Sequence, residues 1–351
     1  MKNQNILALA LKPARRVTKS VGIGIVLISA AALIAMITPS AASVRRPCER
    51  PTATRLVTGL VEGAKGSTIG PDGALYVTEV AAGRISRVDP QTGDITTFAS
   101  GLPPAIISIG GFSLGGPIDV AFIDNVAYVL VTLVSPDVGG SDVDGIYRVD
   151  GPDSFTVVAD IGAFNLANPP PTPFDVPTGL QFAVQTFRGG FLVSDGHLNR
   201  VLRVTLDGDI TVSIQFDNIV PTGLEVRGNT IYMAEAGPVP HLPANGRVVS
   251  FRPNSPSATE VASGAPLLVD VEFGGGRLYA LSQGIFPVGS PPATPALPNT
   301  GALVKVNGDG TFTVIMDGLD RPTSLEFIGN TAYVVNLTGE IWKIDRVRCP
   351  R

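Results

Sequence analysis

The sequence predicts an all-β chain folded as a six-bladed β-propeller of four-stranded antiparallel blades, its ring closed by the N-terminal strand. Three observations predict it: a strand motif that recurs six times in one register, a tight turn ahead of each copy, and a last unit whose missing strand lies at the other end of the chain. Composition agrees. The 351 residues include 40 Gly and 30 Pro, with 44% hydrophobic and 16% charged, so there is apolar material for a large core and many turn residues between short strands.

The first 43 residues hold Lys2, Lys12, Arg15, Arg16 and Lys19 and no acid, with an uncharged apolar run from Val21 to Ile37. This pattern predicts an export segment over 1–43, with Pro39 to Ser43 offering small residues for cleavage. An uncleaved membrane anchor is the alternative, since the run approaches bilayer-spanning length. Residues 44–351 are expected to form one propeller domain outside the cytoplasm, secreted or periplasmic, as a monomer. Removing those five from the 26 basic residues leaves 21 against 30 acids, a net charge of −9. Nucleic acid is excluded as a partner, because phosphate binding needs a basic stripe. Membrane contact is expected only through an uncleaved N-terminal segment.

Along the mature chain the segments Leu75-Tyr76-Val77, Ala127-Tyr128-Val129, Phe191-Leu192-Val193, Ile231-Tyr232-Met233, Leu278-Tyr279-Ala280 and Ala332-Tyr333-Val334 align, placing five of the 6 tyrosines in one register. Tyrosine suits a half-buried pleated surface. Turns such as Asp72-Gly73, Asp124-Asn125, Gly189-Gly190 and Gly329-Asn330 precede these B strands and mark hairpins, with an A strand ahead of each. A C strand follows, carrying a basic and then an aliphatic residue: Arg87-Val88, Arg148-Val149, Arg203-Val204, Lys305-Val306 and Lys343-Ile344. A D strand closes each unit except the sixth. Thr54 to Leu60 has the D pattern, including the Gly-Leu that also ends copies one and five, so it is expected to complete the last sheet and remove the open edges. Cys48 and Cys349 flank that pairing and are expected to form a disulfide.

The long connections all run from B to C or from D to A, so they share one face, and loops on a rigid scaffold carry function. Candidate ligand-binding residues there are Asp119, Phe174, Asp175, Asp195, His197, Glu235, His241 and Phe286. Phe174 ends the proline run from Pro169 to Pro173, and Phe286 precedes Pro287; such stiff apolar loops suit a flat ligand or a protein. For a cation such as Ca²⁺, the candidate oxygens are Asp119, Asp195, Glu235 and Asp270. Neither histidine stands beside a nucleophile motif, and no G-x-S-x-G, H-E-x-x-H, P-loop or dinucleotide fingerprint occurs, so no catalytic residue is assigned.

From about Thr54 to Ile344 the chain resembles the ScyD/ScyE family of exported, NHL-like propellers, associated by name with assembly of the pigment scytonemin. The resemblance rests on Gly70 to Val77, Val158-Ala159-Asp160, Val193 to Gly196 with Asn199, Val220 to Gly223, and Tyr232 to Glu235 before Gly246-Arg247-Val248. It implies a binding propeller holding a small aromatic or polyphenol-type metabolite, or a protein partner. The chain departs from it at Pro169 to Pro173, where an acidic, Asn-rich connection is expected. The fold is also similar to that of six-bladed lactonases, which implies the alternative, a metal-dependent lactonase or hydrolase. At the positions that carry metal-binding Asn or Asp in the gluconolactonase type, this chain has Thr178, Thr222 and Thr323.

Overall fold

Short alternating strands separated by turns leave each sheet with two faces to bury, and the chain buries both by stacking sheets around a ring. The computed structural model describes residues 49–61, 63–171 and 174–348. They belong to one compact unit, Cys48–Arg351. The predicted export segment, Cys48 and Cys349 lie outside the described residues.

Six four-stranded antiparallel sheets follow in order. Strands A to D of blade 1 are Ala64–Ile69, Leu75–Glu79, Arg84–Val88 and Ile95–Ser100; those of blade 2 are Gly116–Ile123, Val126–Thr132, Gly145–Gly151 and Ser154–Asp160. Blade 3 has Gln181–Phe187, Gly190–Asp195, Arg200–Thr205 and Ile210–Gln215, and blade 4 has Pro221–Arg227, Thr230–Glu235, Arg247–Phe251 and Thr259–Ser263. Blade 5 comprises Leu268–Gly274, Arg277–Ser282, Gly301–Val306 and Phe312–Leu319. Blade 6 comprises Pro322–Ile328, Thr331–Asn336, Ile341–Asp345 and, from the other end of the chain, Thr52–Val57. Thr52 is opposite Asp345 and Val57 opposite Ile341, so the predicted ring closure is present.

The core is distributed between blades. Six buried apolar clusters each join two neighbouring blades, including one of Leu75, Val77, Tyr333 and Val335 that joins blade 6 to blade 1. The repeated tyrosines belong to these seams. Tyr76 meets Phe122, Tyr128 meets Phe191, Tyr232 meets Phe273 and Tyr279 meets Phe327, each on the following blade, with ring centroids 4.8–5.2 Å apart. Tyr333 donates its hydroxyl to the Pro90 carbonyl at 3.2 Å. Tilted and edge-on aromatic pairs add to burial itself, which explains why the residue repeats.

Four connections hold structure that the repeat does not, two of them only short 3-10 turns at Pro136–Val138 and Pro243–Asn245. Between blades 1 and 2 lies a hairpin, Ile107–Ile109 with Phe112–Leu114. Between blades 2 and 3 lies a helix, Ile161–Ala167, whose N-cap Asp160 accepts from the Ala163 amide at 2.7 Å.

Candidate functional site

In every blade the A strand slips register at the same place, near its start. A bulge re-aims the side chain it displaces. The equivalent residues are Lys65, Ile118, Phe182, Thr222, Val269 and Thr323, followed by Gly66, Asp119, Ala183, Gly223, Asp270 and Ser324, which together line the central channel and the space above it. The channel opens on the loop face into a cavity of about 390 Å³, within the size range of small-molecule sites. B–C and D–A connections supply its walls, among them Leu114, Phe174, His197, His241 and Pro292 to Pro295.

His197 and Phe174 face each other with ring centroids 5.3 Å apart, and the Val176 amide donates to His197 Nε2 at 3.2 Å. Burial pushes the His197 pKa down, against the pull of Asp195 and Asp175. His241 is buried and packs edge-on against Phe286 at 5.2 Å. Its Nδ1 lies 2.7 Å from the Gly237 carbonyl, so that nitrogen carries the proton and Nε2 keeps its lone pair. Burial also lowers the His241 pKa, partly offset by its two carbonyl partners. Among the described residues the only buried side-chain nitrogen or oxygen lacking a partner is Arg200 Nε. The Nε2 of His241 has no partner among the described residues and is not sealed, and His241 is one of the residues lining the cavity.

Of the predicted residues, Phe174, His197 and His241 line this cavity and Asp119 lines the narrower channel beneath it; Asp175, Asp195, Glu235 and Phe286 are not among the lining residues, Phe286 lying behind His241. The carboxylates of the candidate metal set are not brought to a common point. Asp195 is buried and accepts from the amides of Leu180, His197 and Leu198 and from the side chains of Asn165 and Gln181. Asp119 accepts from the amides of Val120 and Val184, and Asp270 from those of Val271 and Leu325. Glu235 is 5% exposed, and burial pushes its pKa to about 7. The described residues contain no group of three or more His, Cys, Asp or Glu side chains that could hold a metal ion. Asp119, Asp195, Glu235 and Asp270 do not fit a Ca²⁺ site, which needs six to eight convergent oxygens.

Two strand-end acids that occupy equivalent places in the repeat behave differently. Glu79 receives a two-pronged ion pair from Arg84, at 2.7 and 2.8 Å, and further bonds from Ser86 and the Val61 amide. Glu235 sits opposite Arg247 in register, but that arginine pairs with Glu260 at 3.4 Å. Further along the A strands Glu225, Glu272 and Glu326, opposite Tyr232, Tyr279 and Tyr333, have their pKa values raised first by burial.

Sequence reasoning overlooked Lys65. It is half-buried, makes no hydrogen bond or ion pair among the described residues, and its pKa is lowered to about 8 by burial. The signal was present in the repeat: of six equivalent positions, this one alone is charged.

No family model and no curated protein matches the chain. Solved structures do. An aldose sugar dehydrogenase from Streptomyces coelicolor in its PQQ-bound form is 14% identical with a TM-score of 0.53, covering 86% of this chain and 99% of that one. A gluconolactonase from Xanthomonas campestris is 11% identical with a TM-score of 0.56, covering 84% and 89%. A catalytically inactive variant of virginiamycin B lyase from Staphylococcus aureus, with quinupristin, is 14% identical with a TM-score of 0.51, covering 84% and 99%. What these likenesses establish is the architecture: the chain is a six-bladed β-propeller of the kind found in gluconolactonases, sugar dehydrogenases and virginiamycin B lyase.

Proposed function

We propose that this chain is an exported, ScyD/ScyE-like propeller that takes a small, largely apolar molecule into the loop-face cavity and opens a lactone or related ester in it. The names of the structural neighbours support an enzyme of the lactonase type over a purely binding propeller. The donor set argues against routing the chemistry through a metal, so the reacting groups are sought in the protein. The observation that carries the reading is His241: its Nδ1–H is fixed on a backbone carbonyl, and its unprotonated Nε2 belongs to a side chain that lines the cavity. That arrangement suits a general base. Nε2 takes a proton from water, the resulting oxygen nucleophile adds to the lactone carbonyl, the ring C–O bond breaks, and the leaving alkoxide recovers the proton from Nε2. A lactone and one water become one hydroxy acid.

The test is hydrolysis of a panel of aromatic and aliphatic lactones followed by pH-stat, with and without EDTA. The reading requires turnover that EDTA leaves intact and His241→Gln lowers by about 100-fold. Turnover abolished by EDTA, or unchanged in His241→Gln, overturns it. A binding-only role is the second reading, favoured by the apolar and proline-rich walls at Leu114, Phe174 and Pro292 to Pro295; it predicts ligand binding without turnover.

A further inference from the structure

Six residues line both the wide cavity and the narrow channel beneath it: Lys65, Leu114, Leu180, Phe182, Val269 and Gln283. They form a collar at the junction, four of them apolar and two carrying hydrogen-bond donors. Both donors are unused. Lys65 has no acceptor among the described residues. Gln283 accepts from the Ala296 amide through Oε1 at 3.1 Å, and its NH₂ has no partner among the described residues. Neither nitrogen is among the sealed, unpartnered atoms, so both are open to whatever occupies the cavity.

A half-buried ammonium with no counter-charge is unfavourable in the free protein. Among the described residues no acid forms an ion pair with Lys65, and burial raises the pKa of Asp119 and of Asp270 in the same channel. Glu79 is held by Arg84, and both carboxylate oxygens of Asp119 and of Asp270 accept from backbone amides. The histidines of the cavity are neutral. An anion with an apolar body would satisfy both halves of the collar, its charge on Lys65 and its body against Leu114, Leu180, Phe182 and Val269.

We infer that Lys65 and Gln283 form a carboxylate-receiving pair, and that the cavity recognises a largely apolar carboxylic acid by its ionised head. This rests on reading the cavity as a small-molecule site, and the acid is the product class that lactone opening releases. Lysine serves as a point charge and the glutamine amide adds direction. At neutral pH Lys65, with its pKa near 8, is mainly the ammonium form that an anion needs.

Calorimetric titration of the whole protein with cinnamate, benzoate and hexanoate, each against its methyl ester, tests this. At least one acid should bind, with its ester weaker by about tenfold or more. Lys65→Met should lose about tenfold or more and Gln283→Leu a smaller factor, while Lys343→Met, remote on blade 6, changes nothing. Affinity for the acid should fall by about tenfold between pH 7 and 9, as the free ammonium is lost. Over that range His197 and His241 stay neutral, whereas Asp270 in the same channel has its pKa raised to about 7, so the fall is assigned to Lys65 only if Lys65→Met, which keeps Asp270, flattens it. Equal binding of acid and ester, unchanged binding in a folded Lys65→Met variant, or no binding of any acid up to about 10 mM overturns the assignment. Acid binding through Lys65 without lactone turnover sinks the hydrolase reading alone. Turnover with neither acid bound nor dependence on Lys65 sinks this inference alone.

Discussion

Asp119 and Asp270 make the same pair of bonds half a ring apart: one carboxylate oxygen accepts from the next amide on its own strand, the other from the A strand of the following blade, at Val184 or Leu325. The residue on the preceding blade is glycine in both cases, because a Cβ at Gly66 or Gly223 would run into the aspartate Oδ1. The inner ring therefore reads Gly-Asp-Ala and then Gly-Asp-Ser, a two-fold pattern within the six-fold one.

That pattern makes these aspartates stitches between blades. Asp270→Ala should strand the Val271 and Leu325 amides and destabilise by about 1–3 kcal/mol for each, with Asp270→Asn milder. Gly223→Ala should be at least as damaging, since the clash is with Asp270. Urea midpoints at constant m-value check the order.

Glu235 gives a pH dependence of known sign. Its pKa is about 7 in the folded protein and 4.5 ordinarily, so the folded state binds the extra proton and stability falls as pH rises from about 4.5 to 7. Glu235→Gln removes that fall, and its gain over the parent should grow across this window to at most about 3 kcal/mol. Denaturation midpoints at pH 4 and pH 8 measure it; a gain that does not change with pH would refute the buried, unpaired carboxyl.

Lys65 acts in the opposite window. With a folded pKa near 8 against 10.5, the unfolded chain binds more protons between those values, so stability rises with pH there. Lys65→Met should melt about 2–4 °C above the parent at pH 7, the difference closing near pH 10.5. A site group that lowers stability is a common signature of function.

Glu79 and Glu235 should respond unequally to the same change. Glu79→Ala leaves Arg84 without its partner beside a buried strand and should cost about 3–5 kcal/mol. Glu235→Ala removes an unpaired acid and should cost far less. Equal losses in chemical denaturation would contradict the pairing described.

The blades were legible because one structural role recurs: Tyr76, Tyr128, Tyr232, Tyr279 and Tyr333 each reach the next blade, so the register of a single residue type gave the count. The segment from Thr54 could be placed beside the last strand because the last unit lacked one of its own. The hairpin at Ile107–Leu114 and the helix at Ile161–Ala167 escaped, since inserted segments follow no repeat, although Asp160 was a cap signal. Lys65 escaped because a lone lysine ordinarily means solvent; only alignment with Ile118, Phe182, Thr222, Val269 and Thr323 exposes it. The exchange of partners that leaves Glu235 without Arg247 depends on where Glu260 falls, which spacing does not encode.

Thr54 bonds to Lys343 across 289 positions of the chain, so the last sheet assembles only after nearly every other residue has been made. A molecule emerging from one end must wait, with five sheets stacked and a gap between the first and the last, until Asp345 arrives. Joining these two distant segments closes a long loop, whose entropy weighs more in the rate than local preference does. A polypeptide cut short by a few residues at the far end should linger as an unclosed arc, prone to pair with its neighbours.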